Sequence, residues 1–242
     1  SDGAIPGCQV LVARSGKIVF DKCYGYQAYD SAQSVRYDDL YDVASVTKIA
    51  ATALASMKLS EAGMLDINAP VSRYLPKIRA DEKSLTMKEL FTHQAGLPAW
   101  IPFWKRTVSD GSYLPGVYET VPDKEHTIRV CDSLFLSKSY ADSLRNWVYE
   151  APVSDRGKYV YSDLGPIMTG WIVERLTGKR LDQYVEDEFY RPLQLHQSGF
   201  NPRECFTTDH LVPTELDTAF RKKQLRGDVH DPAAAMQGGV SG

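Results

Sequence analysis

Ser45-Val46-Thr47-Lys48 stands at the start of an apolar helical run. A serine and a lysine three positions apart on a helix project from the same face, one turn apart. The amine of Lys48 can therefore reach the hydroxyl of Ser45 without help from the rest of the fold. A hydroxyl in contact with an amine is the arrangement of a nucleophile and its base.

The residues around this tetrapeptide predict that Ser45 lies at a helix N-terminus. Residues 40–44 indicate a short extended segment, and residues 49–62 are rich in Ala, Leu, Met and Lys, with Gly63 as the stop. The unpaired N–H groups and the positive end of the helix dipole favour negative charge on the serine oxygen. The alternative is an ordinary N-cap at Ser45 with Lys48 as a solvated cation, although the dipole disfavours lysine in a first turn.

A second pattern, Tyr161-Ser162-Asp163, lies farther along the chain at the start of another predicted helix. A tyrosine hydroxyl can pass protons to and from a nucleophile. The structural alternatives are a core tyrosine with a hydrogen-bonded hydroxyl and an ordinary N-cap at Ser162 or Asp163. The cap would serve a helix over 164–176, with Gly178 just past its end. Taken alone, this second pattern favours the structural alternatives.

These patterns and the phrase His93-Gln94-Ala95-Gly96-Leu97-Pro98 resemble the penicillin-recognising serine hydrolases. The resemblance is to the class C β-lactamase-like branch, with its esterases and D-amino-acid peptidases. Residues 4–10 and 238–242 are most similar to the β-lactamase-like domain that some bacterial family 3 glycoside hydrolases carry at their C-terminus. The resemblance covers residues 5–242. It implies an α/β (α+β) fold of the β-lactamase/transpeptidase type, with a helical subdomain and an antiparallel sheet.

The resemblance implies a role for each matching residue. Ser45 would accept the acyl group, Lys48 would be its neutralised or proton-shuttling partner, and Tyr161 would pass a proton between Ser45 and the leaving group. Asp163 stands where the most familiar members carry Asn, and it would line the substrate pocket beside Lys48. An amide can donate to a substrate carbonyl, whereas a carboxylate only accepts. We therefore expect weak β-lactam hydrolysis with acylation of Ser45 retained.

The third motif of the family, a K-T-G, H-x-G or similar triplet on a distant strand, is not found. Thr177-Gly178-Lys179 has related letters in another order and stands at a predicted helix end, so we do not assign it to the site. We expect the C-terminal strands, including the one that carries the triplet, to be absent from this chain. The expected organisation is one incomplete domain over 1–242, with an N-terminal hairpin in 1–44 and a mainly helical part in 45–242.

The N-terminal residues predict a β-hairpin with strands over 8–13 and 17–23 and a turn at Ser15-Gly16. A lone two-stranded hairpin is marginal in water, and its unpaired edges can pair with other chains. We therefore expect self-association through this sheet edge. Counting outward from the turn places Cys8 opposite Cys23, unless a bulge intervenes, and we expect both to be free, partly buried thiols.

Between the two motifs the chain is predicted to be mostly helical. Residues 97–118 form a long aromatic loop, and loops of this length are often functional. Trp100 and Trp104 in this loop would form either a wall of the substrate cleft or a separate hydrophobic cluster. Residues 203–228 are polar and show no regular pattern.

The five histidines lack the spacing of metal ligands and the four cysteines form no C-x-x-C pair, so no metal site is expected. His93 and His196 are most simply structural. His230 is assigned to the substrate site because it precedes a glycine-rich end that runs along the cleft in the resembling branch. A triad through His230 and Asp231 ranks below the Ser45 set, since an adjacent aspartate does not readily orient the ring of its neighbour.

Composition is that of an ordinary globular domain. The 242 residues are 43% hydrophobic and 24% charged, which allows a sizeable core. The net charge of −3 offers no basic surface, so a nucleic-acid partner is not expected. No apolar run reaches the length of a membrane span. The resemblance implies no cofactor, a periplasmic, cell-envelope or secreted location, and a fused glycoside hydrolase domain as a candidate partner.

The leading hypothesis is a serine hydrolase that forms an acyl-enzyme on an ester or amide. Its substrate would be a β-lactam, a D-amino-acid peptide of bacterial wall chemistry or a small acyl ester. The alternative is a catalytically silent domain that binds glycan or peptide beside a glycoside hydrolase. The missing third motif favours the alternative, whereas the retained Ser45, Lys48 and Tyr161 favour the hydrolase.

Overall fold

The computed structural model describes residues 3–79 and 84–239. Residues 240–242 of the glycine-rich end lie outside this part of the chain. The strands are β1 (Gly7–Arg14), β2 (Lys17–Gly25), β3 (Val108–Ser109), β4 (Ser112–Tyr113), β5 (Tyr118–Glu119), β6 (His126–Cys131), β7 (Leu134–Ser137), β8 (Pro213–Asp217) and β9 (Lys223–Arg226). The α-helices are α1 (Leu54–Glu61), α2 (Met87–Phe91), α3 (Lys138–Tyr149), α4 (Leu164–Thr177), α5 (Leu181–Val185) and α6 (Pro232–Ala235).

The predicted N-terminal hairpin is confirmed as the antiparallel pair β1–β2. Its turn has φ values of 50° at Ser15 and 72° at Gly16, which match the right-handed twist of the flanking strands. Apolar side chains on both strands are exposed, among them Leu11, Ile18 and Val19. The hairpin therefore leaves much of its apolar surface in contact with solvent.

The predicted pairing of Cys8 with Cys23 is wrong. The register pairs Ala13 with Ile18 but Val12 with Phe20, so Val19 is an extra residue in β2. A bulge of this kind shifts every later pair by one position. Cys8 consequently lies opposite Tyr24, and Cys23 lies opposite Gln9. Both cysteines are free and half-buried, as expected.

The helix that carries the first motif changes its winding twice. A 3-10 turn over Ala44–Val46 leads into a π-helical stretch over Lys48–Ala53, and α1 continues from there. The Tyr190 hydroxyl donates to the carbonyl of Ala50 at 3.1 Å and satisfies a polar group in the wide turn. Stretches of π-helix are frequent at functional sites. The helix stops as predicted, with Gly63 at a φ of 70° just beyond its end.

Helix α4 is the centre of the core because it is apolar on nearly every side. It contacts α1, α2 and α5. Leu164, Met168 and Ile172 are fully buried, and each contributes about 1.5–3 kcal/mol relative to an exposed side chain. Gly178 ends the helix at a φ of 71°. The triplet Thr177-Gly178-Lys179 is thus a helix end, as predicted, and does not form a strand.

Besides the short pair β3–β4 in the aromatic loop, two sheets lie where the sequence shows no strand pattern. A three-stranded antiparallel sheet has the order β5-β7-β6, within the region predicted to be mostly helical. Strands β8 and β9 form a hairpin inside 203–228, so the interpretation of this segment as irregular is wrong. The Asp217 carboxylate closes this hairpin by accepting from the N–H groups of Ala219, Phe220 and Arg221. Polar contacts rather than alternating apolar residues stabilise it, which is why the pattern missed it.

Candidate active site

Ser45 lies exposed in the 3-10 turn that opens the helix. It is not an N-cap, because Val43 holds that position and no side chain caps the turn. The Nζ of Lys48 donates to the Oγ of Ser45 at 2.9 Å, one turn further along the helix. The predicted contact between hydroxyl and amine is therefore present in the folded chain.

Tyr161 brings a third group to the same oxygen. Its hydroxyl donates to the Oγ of Ser45 at 3.0 Å, and its ring centre lies 5.5 Å from the Nζ of Lys48. Tyr161 is half-exposed, so its hydroxyl is accessible to a substrate as well as to the serine. The three groups converge on the atom that would attack a carbonyl carbon.

Asp163 forms an ion pair with Lys48. Its Oδ1 lies 3.0 Å from the Nζ of Lys48, and only 11% of the lysine side chain is exposed. Asp163 occupies the N-cap position of α4 but makes no cap hydrogen bond there. Its carboxylate is therefore directed to Lys48 and not to the helix. The ion pair fixes a positive charge beside the oxygens of Ser45 and Tyr161.

Backbone pairing positions the Tyr161 segment. The N–H of Val160 donates to the carbonyl of His93 at 2.9 Å, and the N–H of Asp163 donates to that of Ala99 at 2.9 Å. Between them, the buried hydroxyl of Ser162 donates to the carbonyl of Pro98 at 2.6 Å. The phrase His93–Pro98 and the adjacent Ala99 therefore hold the second motif in position through hydrogen bonds to their carbonyls.

Gly96 allows the phrase His93–Pro98 to lie close to the backbone of Ser154. It has a φ of 72°, and a Cβ built on it would lie 2.1 Å from the carbonyl oxygen of Ser154. The carbonyl of Gly96 in turn accepts from the N–H of Ser154 at 2.9 Å. Only glycine combines this backbone conformation with such a close contact.

His93 supports Tyr161 from behind. The two ring centres are 4.5 Å apart, and the Nδ1 of His93 accepts from the N–H of Ser162 at 3.2 Å. Burial and the nearby charge of Lys48 lower the pKa of His93, which favours the neutral ring that this hydrogen bond requires. His93 thus lies beside the site, whereas the sequence predicts only a structural role for it. The feature of the sequence that could have indicated this proximity is the position of His93 at the start of the phrase His93–Pro98.

Ser45, Lys48 and Asp163 line a cavity of about 740 Å³. His230 lies on the wall of the same cavity, with its Nδ1 3.1 Å from the Oε2 of Glu215 on β8. The partner of the His230 ring is thus Glu215 and not the adjacent aspartate. Asp231 instead caps α6 by accepting from two backbone N–H groups.

Trp100 and Trp104 do not line this cavity. Trp104 stacks on Phe220 with ring centres 5.6 Å apart, in a cluster that also includes Tyr113 and Tyr118. Trp100 is largely exposed. The structure places Trp104 against the main hydrophobic core, which is neither the cavity wall nor the separate cluster considered for the aromatic loop.

Among the described residues, one group of side chains has the spacing of a metal site. It comprises Asp38, Asp39 and His210, whose ligand atoms lie within 4.8 Å of one another. The buried carboxylate of Asp39 already accepts from Gln27 and Arg36. These oxygens are occupied by protein donors, so we interpret the group as an ion-pair network.

Helices and antiparallel sheets around a Ser-x-x-Lys pair and a Tyr-x-Asp pair define the class of the penicillin-recognising serine hydrolases. The chain matches the Beta-lactamase family over residues 1–238 and belongs to that family. The predicted family and fold class are confirmed.

Curated relatives and solved structures agree with this assignment. The chain is 32% identical to a Bacillus subtilis protein named N-acetylmuramyl-L-alanine amidase, over 98% of this chain and 55% of the relative. It is 32% identical to a Salmonella gallinarum protein provisionally named D-alanyl-D-alanine carboxypeptidase, over 100% of this chain and 57% of the relative. An octameric penicillin-binding protein homologue from Pyrococcus abyssi has the same fold, with a TM-score of 0.66 and 23% identity over 92% of this chain and 46% of that one.

The chain spans about half the length of the curated relatives it matches. The names of both relatives refer to bacterial cell-wall chemistry. Across 3–79 and 84–239, no helix is both long and apolar enough to cross a membrane.

Proposed function

We propose that the protein is a serine hydrolase that forms an acyl-enzyme on Ser45. The observation that supports this most directly is the convergence of Lys48 Nζ and Tyr161 OH on the Ser45 oxygen, at 2.9 and 3.0 Å. These distances place the nucleophile in contact with a hydroxyl that can relay its proton and with a cation that stabilises negative charge on its oxygen. The exposure of Ser45 at the wall of the cavity provides room for a substrate carbonyl beside it.

In the proposed reaction, the Oγ of Ser45 attacks the carbonyl carbon of an amide or ester. Its proton passes to the oxygen of Tyr161 while the tyrosine proton passes to the leaving nitrogen or oxygen. The bond from carbon to the leaving group then breaks, and the acyl group stays on Ser45. Water attacks the acyl-enzyme in the second step and releases the acid. The positive charge of Lys48, fixed by Asp163, stabilises the negative charge that develops on the oxygens.

We propose peptides and amides of bacterial wall chemistry as the substrates, with β-lactams and small acyl esters as related reagents. The names of the two curated relatives support this class, because one refers to a muramyl-alanine amide and the other to a D-alanyl peptide. The same names support a periplasmic, cell-envelope or secreted location. The fusion to a glycoside hydrolase rests on the sequence resemblance alone.

We also propose that the chain folds as one unit and associates through its hairpin. The continuous core around α4 supports the single unit. The exposed apolar side chains and unpaired edges of β1 and β2 support the association.

The test of the catalytic proposal is the intact mass of the chain after exposure to a fluorophosphonate and to a penicillin. We expect one adduct on the wild-type chain and none on Ser45→Ala. Ser60→Ala is the matched control, because Ser60 is an exposed serine at the other end of the same helix. Circular dichroism verifies that each variant is folded. An adduct that persists in folded Ser45→Ala would reject the assignment, and an unlabelled folded wild type would favour the catalytically silent domain.

A further inference from the structure

The residue before the nucleophile is held in an unusual conformation. Ala44 has a φ of 45°, although it is neither glycine nor asparagine. The left-handed region is unfavourable for an ordinary L-residue, and it persists only where surrounding contacts impose it. Ala44 begins the 3-10 turn that carries Ser45. Its conformation therefore sets the direction in which the Ser45 side chain leaves the helix.

Asp42 provides the contact that imposes this conformation. Its Oδ1 accepts from the N–H of Ala44 at 2.8 Å, two residues further along the chain. Its Oδ2 accepts from the N–H of His230 at 2.6 Å. One carboxylate thus joins the turn of the nucleophile to a segment 188 residues away in the sequence.

The distant segment is itself firmly anchored. The guanidinium of Arg221 donates to the carbonyls of Val229 and His230 at 2.6 and 2.7 Å. Its side chain is fully buried and pairs with Asp217 at 2.7 Å. His230 therefore presents its N–H to Asp42 from a fixed position. The turn at Ala44 is held against this fixed point rather than against a mobile loop.

We propose that Asp42 is a positioning residue for the nucleophile. By holding Ala44 in the left-handed region against the 229–230 segment, it keeps the Ser45 oxygen between Lys48 and Tyr161. This inference rests on the proposed function, since the placement of Ser45 matters for acyl transfer. Misplacement of a reacting group by about 1 Å can cost on the order of a hundredfold in rate.

The test compares rates of labelling of Ser45 by a small fluorophosphonate, measured on the full chain. We expect Asp42→Ala to slow labelling at least about tenfold, because Ala44 is then free to leave the left-handed region. In the Ala44→Gly background we expect Asp42→Ala to slow labelling by a factor at least about three times smaller, because glycine adopts a positive φ without strain. A purely structural role of Asp42 would not be rescued in this way.

Asp66→Ala is the matched control. Asp66 makes the same kind of turn by accepting from the N–H of Asn68 at 2.9 Å, away from the site. We expect its labelling rate to equal that of the wild type. Asp42→Asn is the milder variant if Asp42→Ala folds poorly. Its single amide oxygen can replace only one of the two hydrogen bonds, so we expect an intermediate rate.

Amide hydrogen exchange at Ala44 and His230 gives a second readout that does not depend on activity. We expect both amides to lose protection in Asp42→Ala. Two results would overturn the inference. One is labelling of folded Asp42→Ala at the wild-type rate. The other is an equal slowing of labelling by Asp42→Ala in the wild-type and Ala44→Gly backgrounds. A wild-type chain that is not labelled would reject the proposed function instead, and the exchange of these two amides would then decide whether Asp42 holds the turn.

Discussion

The hydroxyl of Tyr161 lies 3.0 Å from the hydroxyl oxygen of Ser45, although 116 residues separate them in the sequence. Two packed helices bring them together, since Ser45 opens the helix that continues into α1 and Tyr161 precedes α4. His93 then packs against the tyrosine ring, with the two ring planes tilted by 35°. Because both partners are hydroxyl groups, the proton of this hydrogen bond can lie on either oxygen. This exchange is what a proton relay requires.

Tyr161→Phe tests the relay. The variant keeps the ring that packs against His93 but loses the hydroxyl that contacts Ser45. Loss of one general acid or base typically costs about 10²–10⁴ in rate, and we expect a decrease of that size in labelling by a fluorophosphonate. Tyr159→Phe is the matched control because Tyr159 is exposed and also contacts His93. Equal labelling of folded Tyr161→Phe and wild type would contradict the relay.

Asp163→Asn tests the departure from the familiar members of the family. The variant removes the ion pair with Lys48 but supplies an amide that can donate to a substrate carbonyl. We expect penicillin labelling to increase relative to fluorophosphonate labelling, as read from intact mass over time. Asp155→Asn is the control, since Asp155 is an exposed acid paired with another lysine. A ratio of the two rates that does not change would show that Asp163 does not set the reagent preference.

The sequence was sufficient for the parts of the fold that depend on local spacing. The contact of Lys48 with Ser45 follows from helix geometry, and the ends of α1 and α4 follow from Gly63 and Gly178. The turn at Ser15-Gly16 follows from glycine's tolerance of a positive φ. Each of these features involves residues only a few positions apart.

The features that the sequence did not predict depend on distant contacts. The bulge at Val19 displaced Cys8 from Cys23, and no local pattern signals a bulge there. The ring of His230 lies against Glu215, a residue of a strand that apolar periodicity could not detect. The aromatic loop allows two arrangements for Trp104, and the contact with Phe220 that joins it to the main core instead is visible only in the folded chain.

Glu89 provides a prediction about pH. A side-chain hydrogen bond from Arg156, together with hydrogen bonds from Thr86, lowers the pKa of Glu89 to about 2 from an ordinary value of 4.5. The Arg156 guanidinium also bonds Ser84, so the pair ties the segment that precedes Tyr161 to the start of α2. A lowered carboxyl pKa adds stability that is fully present above pH 4.5 and is lost as the pH falls towards 2.

Glu89→Gln should therefore be less stable than the wild type at neutral pH. The glutamine can retain the cap with Thr86 but carries no charge for Arg156. We expect the difference in free energy of unfolding between wild type and variant to shrink as the pH falls below 4.5, as measured by urea denaturation at several pH values. Glu61→Gln, at an exposed position at the end of α1, should show no such dependence. A difference that is constant down to about pH 3 would contradict this account of Glu89.

The N-terminal hairpin provides the last prediction. Ile18 and Val19 are 63% and 62% exposed, and within 3–79 and 84–239 no third strand joins the sheet of β1 and β2. Apolar side chains beside unpaired strand edges favour pairing with a second copy. We expect the wild-type chain to sediment as an oligomer whose size increases with concentration. Ile18→Lys combined with Val19→Lys should shift it to a monomer, because lysine on a strand edge opposes pairing.

Leu216→Lys is the matched control for this pair of substitutions. Leu216 lies on β8 and is 67% exposed, so it presents a similar apolar side chain on a different sheet. We expect this variant to associate like the wild type, because the hairpin is unchanged. Amide exchange gives the complementary readout, since association should protect residues 8–23 in the oligomer and leave them weakly protected in the lysine variant. A monomeric wild type with strong protection across 8–23 would show that the hairpin is stable without a partner and would reject the association.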